Sequence, residues 1–172
     1  MSRYETAEYE VVKSEKNIEI RSYRAYITAA VREEDLISTS GFGTIFRYIS
    51  GENEANRKIS MTTPVINEMA EESATTEFVM PKEFQRKDLP LPRSSNITFK
   101  EIPAKIVLCI SFNGTVRKDR IEFYEKLMLD YARKHNLKTQ GTIRLARYNP
   151  PFIPGFLKRN ELHIDLRGLP EE

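Results

Sequence analysis

The stretch Ile18-Glu19-Ile20-Arg21 alternates apolar and polar residues, and Ile97-Thr98-Phe99-Lys100 repeats the pattern at an offset of 79, from Ile18 to Ile97. At the same offset Ala104 matches Ala25, Ile106 matches Ile27, Leu108 matches Ala29 and Ile110 matches Val31. A period of two belongs to strands with one buried face, so each copy opens on a pair of strands. Each pair then leads into a helical stretch. Phe42, Ile45, Phe46 and Ile49 recur at helical spacing after the first, and Ile121, Tyr124, Leu127, Met128 and Tyr131 after the second. Further strands are expected at 58–62, 65–66 and 75–80 in the first copy, and at 142–148 and 161–166 in the second. The best internal connection is Leu89-Pro90-Leu91-Pro92. These features predict one α+β domain over 1–172, with pseudo-repeats at about 8–88 and 96–167, whose strands curl towards an antiparallel β-barrel.

Local signals refine the helix ends. Glu33-Glu34-Asp35 places acids ahead of the first helix, where they complement its dipole, and Arg133-Lys134-His135 does the converse at the end of the second. Gly41 and Gly43 weaken the first helix, leaving its start undefined by several residues. Pro64 holds Thr63 extended.

Composition removes several function classes. The chain is 40% apolar and 30% charged, which suits a packed domain rather than a disordered one. A net charge of +2 provides no long-range attraction to nucleic acid or to an anionic membrane. The run Ile106 to Ile110 is too short to span a bilayer, and Met1-Ser2-Arg3-Tyr4-Glu5 lacks the apolar core of a signal peptide. A cytoplasmic monomer with no membrane or nucleic-acid partner is expected. Cys109, His135 and His163 offer no zinc spacing, and Gly41 and Gly43 have neither the partner glycines nor the lysine of a phosphate loop.

One segment is anomalous. Tyr148-Asn149-Pro150-Pro151-Phe152-Ile153-Pro154-Gly155-Phe156-Leu157 has too many prolines for regular structure, yet it carries four large apolar side chains. Such a loop either folds onto the core or forms a wall of a ligand site. Similarly, the stripe Phe42, Ile45, Phe46 and Ile49 reads as core or as the wall of a site. Arg47 beside it, and Lys158 and Arg159 after the loop, are either solvated charges or partners for a ligand carboxylate. Met61 reads as packing rather than as an iron ligand.

The segment Lys58-Ile59-Ser60-Met61-Thr62-Thr63-Pro64-Val65 and the run from Tyr148-Asn149-Pro150-Pro151 to Lys158-Arg159-Asn160-Glu161 resemble the two signature stretches of the SOUL/haem-binding family. Tyr9-Glu10-Val11-Val12 and Ile18 to Tyr23 are similar to that family's opening strands, so the resemblance runs from Tyr9 to Leu166. It implies a distorted β-barrel of two repeated halves flanked by two α-helices. It also implies non-covalent haem or porphyrin binding in an apolar groove. Carried over by position, the site comprises Phe42, Ile45, Phe46, Arg47, Ile49, Phe152, Phe156, Leu157, Lys158 and Arg159, with Arg47 meeting a propionate. The chain departs from some family members in one respect: Glu33 to Ile49 holds no histidine, so haem is expected without a histidine axial ligand and no metal-ligating residue is assigned.

Three functions compete. The first is a non-enzymatic tetrapyrrole carrier or buffer. The second is an effector-binding or sensing module that takes a lipophilic cation in a central cleft, with Glu68, Glu77 or Glu161 as counter-charge. No helix-turn-helix precedes Tyr9 to support it. The third is an enzyme, for which a reactive Cys109 or a poised histidine is needed. Cys109 in an apolar strand reads as an inert buried thiol. The carrier reading, with no catalytic residue, is the expectation.

Overall fold

The computed structural model describes residues 4–33, 40–69, 73–150 and 152–171. Nine strands and two helices occur among them: β1 (Tyr9–Glu15), β2 (Ile18–Tyr23), β3 (Tyr26–Glu33), α1 (Ser40–Ile49), β4 (Val65–Met69), β5 (Ala74–Val79), β6 (Ile97–Ile102), β7 (Lys105–Asn113), α2 (Lys118–Lys134), β8 (Thr139–Arg147) and β9 (Arg159–Leu166). The chain divides into two compact units. One comprises Ala25–Pro103 with the residues up to Ala7, and the other Glu8–Arg24 with the chain from Ala104 onward.

These units cut across the sequence repeats. β2 opens the first repeat but pairs with β7, register Ile20 to Leu108, in the second unit. β6 opens the second repeat but pairs with β3, register Phe99 to Ala29, in the first. Each repeat therefore gives its leading strand to the other's sheet. The strand order is β4-β5-β3-β6 in the first unit and β1-β2-β7-β9-β8 in the second, and every assigned pairing is antiparallel.

The barrel expectation is corrected here. Among the described residues β1 pairs only with β2, and β6 only with β3, so the strands do not close on themselves. Closure requires both outer strands to find a partner. The strand expected at 58–62 is also absent. Ile59 is buried, but its N–H donates to the Ile49 carbonyl at the end of α1, and Thr62 makes only an isolated bridge with Glu5. Its backbone partners are a helix end and the N-terminal segment rather than a neighbouring strand.

In the first unit α1 covers one sheet face. Ile45, Tyr48 and Ile49 pack with Ala29, Val31, Phe78 and Ile97, and the Tyr48 hydroxyl donates to the Pro90 carbonyl at 2.8 Å. The start of α1 explains a weak helix former. A Cβ on Gly41 would lie 2.6 Å from the Glu33 carboxyl carbon. The missing side chain lets Glu33 accept the Gly41 N–H and the Thr76 hydroxyl, the latter at 2.7 Å. Glu33 thus complements the helix start as expected, whereas Glu34 and Asp35 lie outside the described residues.

In the second unit α2 packs on the face formed by Ile20, Leu108, Ile110, Phe112, Leu162 and Ile164, all buried. Phe112 stacks on Tyr124 with ring centroids 4.5 Å apart, and Met128 is fully enclosed. The opposite face, one residue out of phase, carries Glu19, Arg21, Cys109, Glu161 and His163.

Candidate functional site

The expected site residues fall into three environments. On α1, Ile45 and Ile49 belong to the core, at 2% and 4% exposure, and so cannot line a surface groove. The helical stripe splits because 3.6 residues per turn spreads four apolar side chains over more than one facing surface. Phe46 is 51% exposed and stacks on half-buried Phe42 at 6.0 Å. Arg47 is exposed, with Glu52 at 3.7 Å and the Thr44 hydroxyl at 3.4 Å as partners.

On the late loop the core-plug alternative is not what forms. Phe152 is 82% exposed, Phe156 76% and Leu157 60%, while Ile153 is half-buried. Residues 155–157 make a short 3-10 turn, closed by the Leu157 N–H on the Pro154 carbonyl at 2.9 Å. Lys158 is half-buried. Arg159 begins β9, with its side chain turned to Glu161 at 2.7 Å. Pro151 lies outside the described residues.

The third environment holds Arg159 and Glu161, each named from the sequence in a different role, but the network that joins them was missed by the sequence reading. On the β2–β7–β9 face opposite α2, Arg21 and Glu161 form a bidentate pair, Nη1 to Oε2 and Nη2 to Oε1, both at 2.8 Å. Arg21 is 1% exposed and Glu161 0%. Arg21 Nε also donates to Glu19 at 2.7 Å, and its guanidinium lies 4.5 Å from the Tyr9 ring centroid. Glu161 further accepts the Tyr148 hydroxyl at 2.8 Å, Arg159 Nη2 at 2.7 Å and the Ser111 hydroxyl at 3.3 Å, and its Oε2 lies 2.7 Å from His163 Nε2. Burial alone would raise the Glu161 pKa, but the bonds from His163 and Arg21 hold it well below the usual carboxylate range. Burial pushes His163 down, and Arg144 and Arg21 add to that effect. Burial thus disfavours the charged ring, and against an ionised carboxylate, which can only accept, His163 Nε2 is the donor.

Cys109 Sγ, a Glu161 oxygen and a His163 nitrogen lie within 4.8 Å of one another. The set suits a cation poorly, because Arg21 already occupies both Glu161 oxygens, and burial pushes the Cys109 thiol up. No sequence signal marked this face as buried: charged residues at every second position in β2 and β9, opposite an apolar series, read as strands with one face in water.

Solved structures of low sequence identity share the fold. The C-terminal domain of EcmrR aligns at a TM-score of 0.63 and 12% identity, covering 94% of this chain and 99% of that one. A hydrolase from Listeria innocua aligns at 0.61 and 10% identity, over 90% and 94% of the two chains. SAV2435, solved with tetraphenylphosphonium, aligns at 0.51 and 8% identity, over 94% of each. No curated protein matches the sequence. The family model described as SOUL heme-binding protein matches residues 4–165, and with nearly the whole chain inside that match, this protein belongs to the SOUL heme-binding family.

Proposed function

We propose that the protein binds haem or a related tetrapyrrole non-covalently and without turnover, with the loop 152–157 as its main apolar contact surface. Family membership supports haem or tetrapyrrole binding in general terms. The observation that carries the finer reading is the exposure of Phe152 at 82% and Phe156 at 76% on a loop stiffened by prolines. Leaving such groups in water is costly, so they serve a contact. Phe42 and Phe46 with Arg47 form a second apolar surface with a cation beside it, and each surface is tested on its own. Among the described residues Arg47 is held by exposed Glu52 and by the Thr44 hydroxyl at 3.4 Å, so a propionate competes easily for it.

Burying ~200 Å² of macrocycle at ~25 cal/mol/Å² provides about 5 kcal/mol, short of the ~8 kcal/mol of micromolar affinity. Carboxylate pairing must supply part of the remainder. The absence of turnover is supported by Cys109, which burial keeps protonated, and by His163, which is locked onto Glu161. Side-by-side titration with haem and iron-free protoporphyrin tests the reading. A saturable Soret shift is expected with both, weakened by Phe152→Ala/Phe156→Ala on the loop or by Arg47→Ala on α1. No shift with either ligand would end the proposal, a shift with haem alone would expose an axial ligand, and haem converted to bilin with reductant would make the protein an enzyme.

A lipophilic-cation site is the second reading, since Glu77 and Glu161 are buried acids of the kind such a ligand needs. Both already hold a basic side chain, Lys100 and Arg21 respectively, so the tetrapyrrole reading is preferred. Saturable uptake of tetraphenylphosphonium with none of porphyrin would reverse the order.

A further inference from the structure

The chain between Tyr148 and Arg159 stands on two feet, and one buried carboxylate holds both. Tyr148, just past β8, donates its hydroxyl to Glu161 Oε2 at 2.8 Å. Arg159, opening β9, donates Nη2 to Glu161 Oε1 at 2.7 Å, and its guanidinium lies 4.7 Å from the Tyr148 ring centroid. The backbone closes the same gap. The Tyr148 N–H donates to the Arg159 carbonyl at 3.2 Å, and the Arg159 N–H to Asn149 Oδ1 at 2.6 Å. Glu161 is itself immobilised by the two Arg21 bonds and by His163. A further tie lies along the loop, where the Gly114 N–H donates to the Lys158 carbonyl at 2.8 Å. There Gly155 sits so close to Thr115 that a Cβ would strike its hydroxyl.

We infer that Glu161 and Tyr148 are positioning residues for the ligand surface on 152–157, and that Arg159, held on them, selects ligands bearing a carboxylate. The inference rests on the tetrapyrrole reading and names its specificity. A flexible surface arginine loses rotamer freedom when it captures an anion. Arg159 has largely lost that freedom already: one nitrogen sits on Glu161 and the plane is stacked on Tyr148. Its side chain is still 51% exposed, and the Glu161 bond uses only part of a five-donor fork. A pre-set guanidinium two residues beyond Leu157 in the chain, on Glu161 and over Tyr148, suits a flat apolar molecule with an acidic edge.

The test uses protoporphyrin and its dimethyl ester, which presents the same macrocycle with the propionates masked. Wild type is expected to prefer the free acid by about tenfold or more, the worth of a charge-assisted hydrogen bond. Arg159→Lys should bring that ratio towards one while leaving the affinity for the ester unchanged. Tyr148→Phe should do the same in part, with the Arg21–Glu161–His163 bonds intact as the safeguard of folding. Glu161→Gln is the stronger but riskier variant.

Amide hydrogen exchange supplies the readout that needs no ligand. In Tyr148→Phe the bonded amides of Ile153, Leu157 and Lys158 should exchange about tenfold faster, with β7 and α2 unchanged. An unchanged acid-to-ester ratio in Arg159→Lys overturns carboxylate selection. Unchanged exchange in Tyr148→Phe overturns the anchoring. Wild-type protein that takes up neither porphyrin removes the tetrapyrrole reading and the role of Arg159 together, and the exchange result then decides the anchoring alone.

Discussion

Lys100 in β6 and Arg21 in β2 stand at matching positions of the two repeats, 79 residues apart, and each is carried into the other repeat's sheet. Lys100 is 39% exposed and makes one ion pair, to Glu77 at 2.6 Å, while Glu77 also accepts the Thr28 hydroxyl at 3.1 Å. Arg21 is sealed from solvent and bonds Glu161 twice, with Glu19 and the Tyr23 hydroxyl taking two more of its five donors. An ammonium on a long stem reaches water, so one carboxylate suffices for it. A buried guanidinium must have its donors satisfied by protein, and a buried carboxylate its lone pairs. The extra acceptors and donors that this requires in the second unit are the ones that reach Tyr148 and Arg159, at the feet of the exposed loop. In the first unit the Lys100–Glu77 pair makes a smaller demand, met by the Thr28 hydroxyl and by water around the ammonium.

The largest expected effect breaks the comparison directly. Glu161→Ala removes the bidentate counter-charge of a buried guanidinium, leaving it only the Glu19 carboxylate on Nε, and should cost roughly 3–5 kcal/mol. Glu77→Ala should cost about 1–2 kcal/mol, because Lys100 can turn to water. Denaturant unfolding of the two variants measures the difference, and equal losses would mean that the two charge pairs do the same job.

Acid should act mainly on the second unit. His163 and Glu161 both titrate below their ordinary values of 6.5 and 4.5 in the folded chain, so in each window the unfolded chain binds the proton first. Stability is complete above pH 6.5, declines as pH falls through the His163 window, and declines further below 4.5 as Glu161 is forced to protonate. His163→Gln should flatten the upper limb and leave the lower one. Denaturation midpoints taken from about pH 8 down to about pH 3, across the ordinary histidine and carboxylate values, decide this.

The smallest effect sharpens the contrast between buried and exposed charge. Arg47→Ala removes an exposed pair spaced at 3.7 Å and should change stability by less than about 0.5 kcal/mol, while weakening porphyrin uptake at α1. A thermal melt alongside the titration separates the two results.

Much of the architecture was legible because periodicity is a local property. β2, β3, β6 and β7 follow from alternation, and α2 follows from Tyr124, Met128 and their neighbours at helical spacing. The strand expected at 58–62 failed for a non-local reason: its backbone partners come from Ile49 and Glu5. On α1 the apolar stripe was read correctly as a helix face, but its division into core (Ile45, Ile49) and surface (Phe46) depended on which side the sheet occupies. The exposure of Phe152 and Phe156 was legible only as a choice between two outcomes.

By itself, the order of residues determined the period of each segment, the internal duplication, the oddity of a proline-rich apolar loop and the family to which the chain belongs. Each is a pattern of neighbours along the chain. Which strand joins which sheet was decided in three dimensions, because hydrogen-bonded edges do not distinguish a partner from the same repeat from one in the other. That exchange brings Arg21 onto Glu161, residues 140 apart in the chain. Their pairing is enforced by the cost of burying either charge alone, a cost that exists only once the fold has taken both out of water.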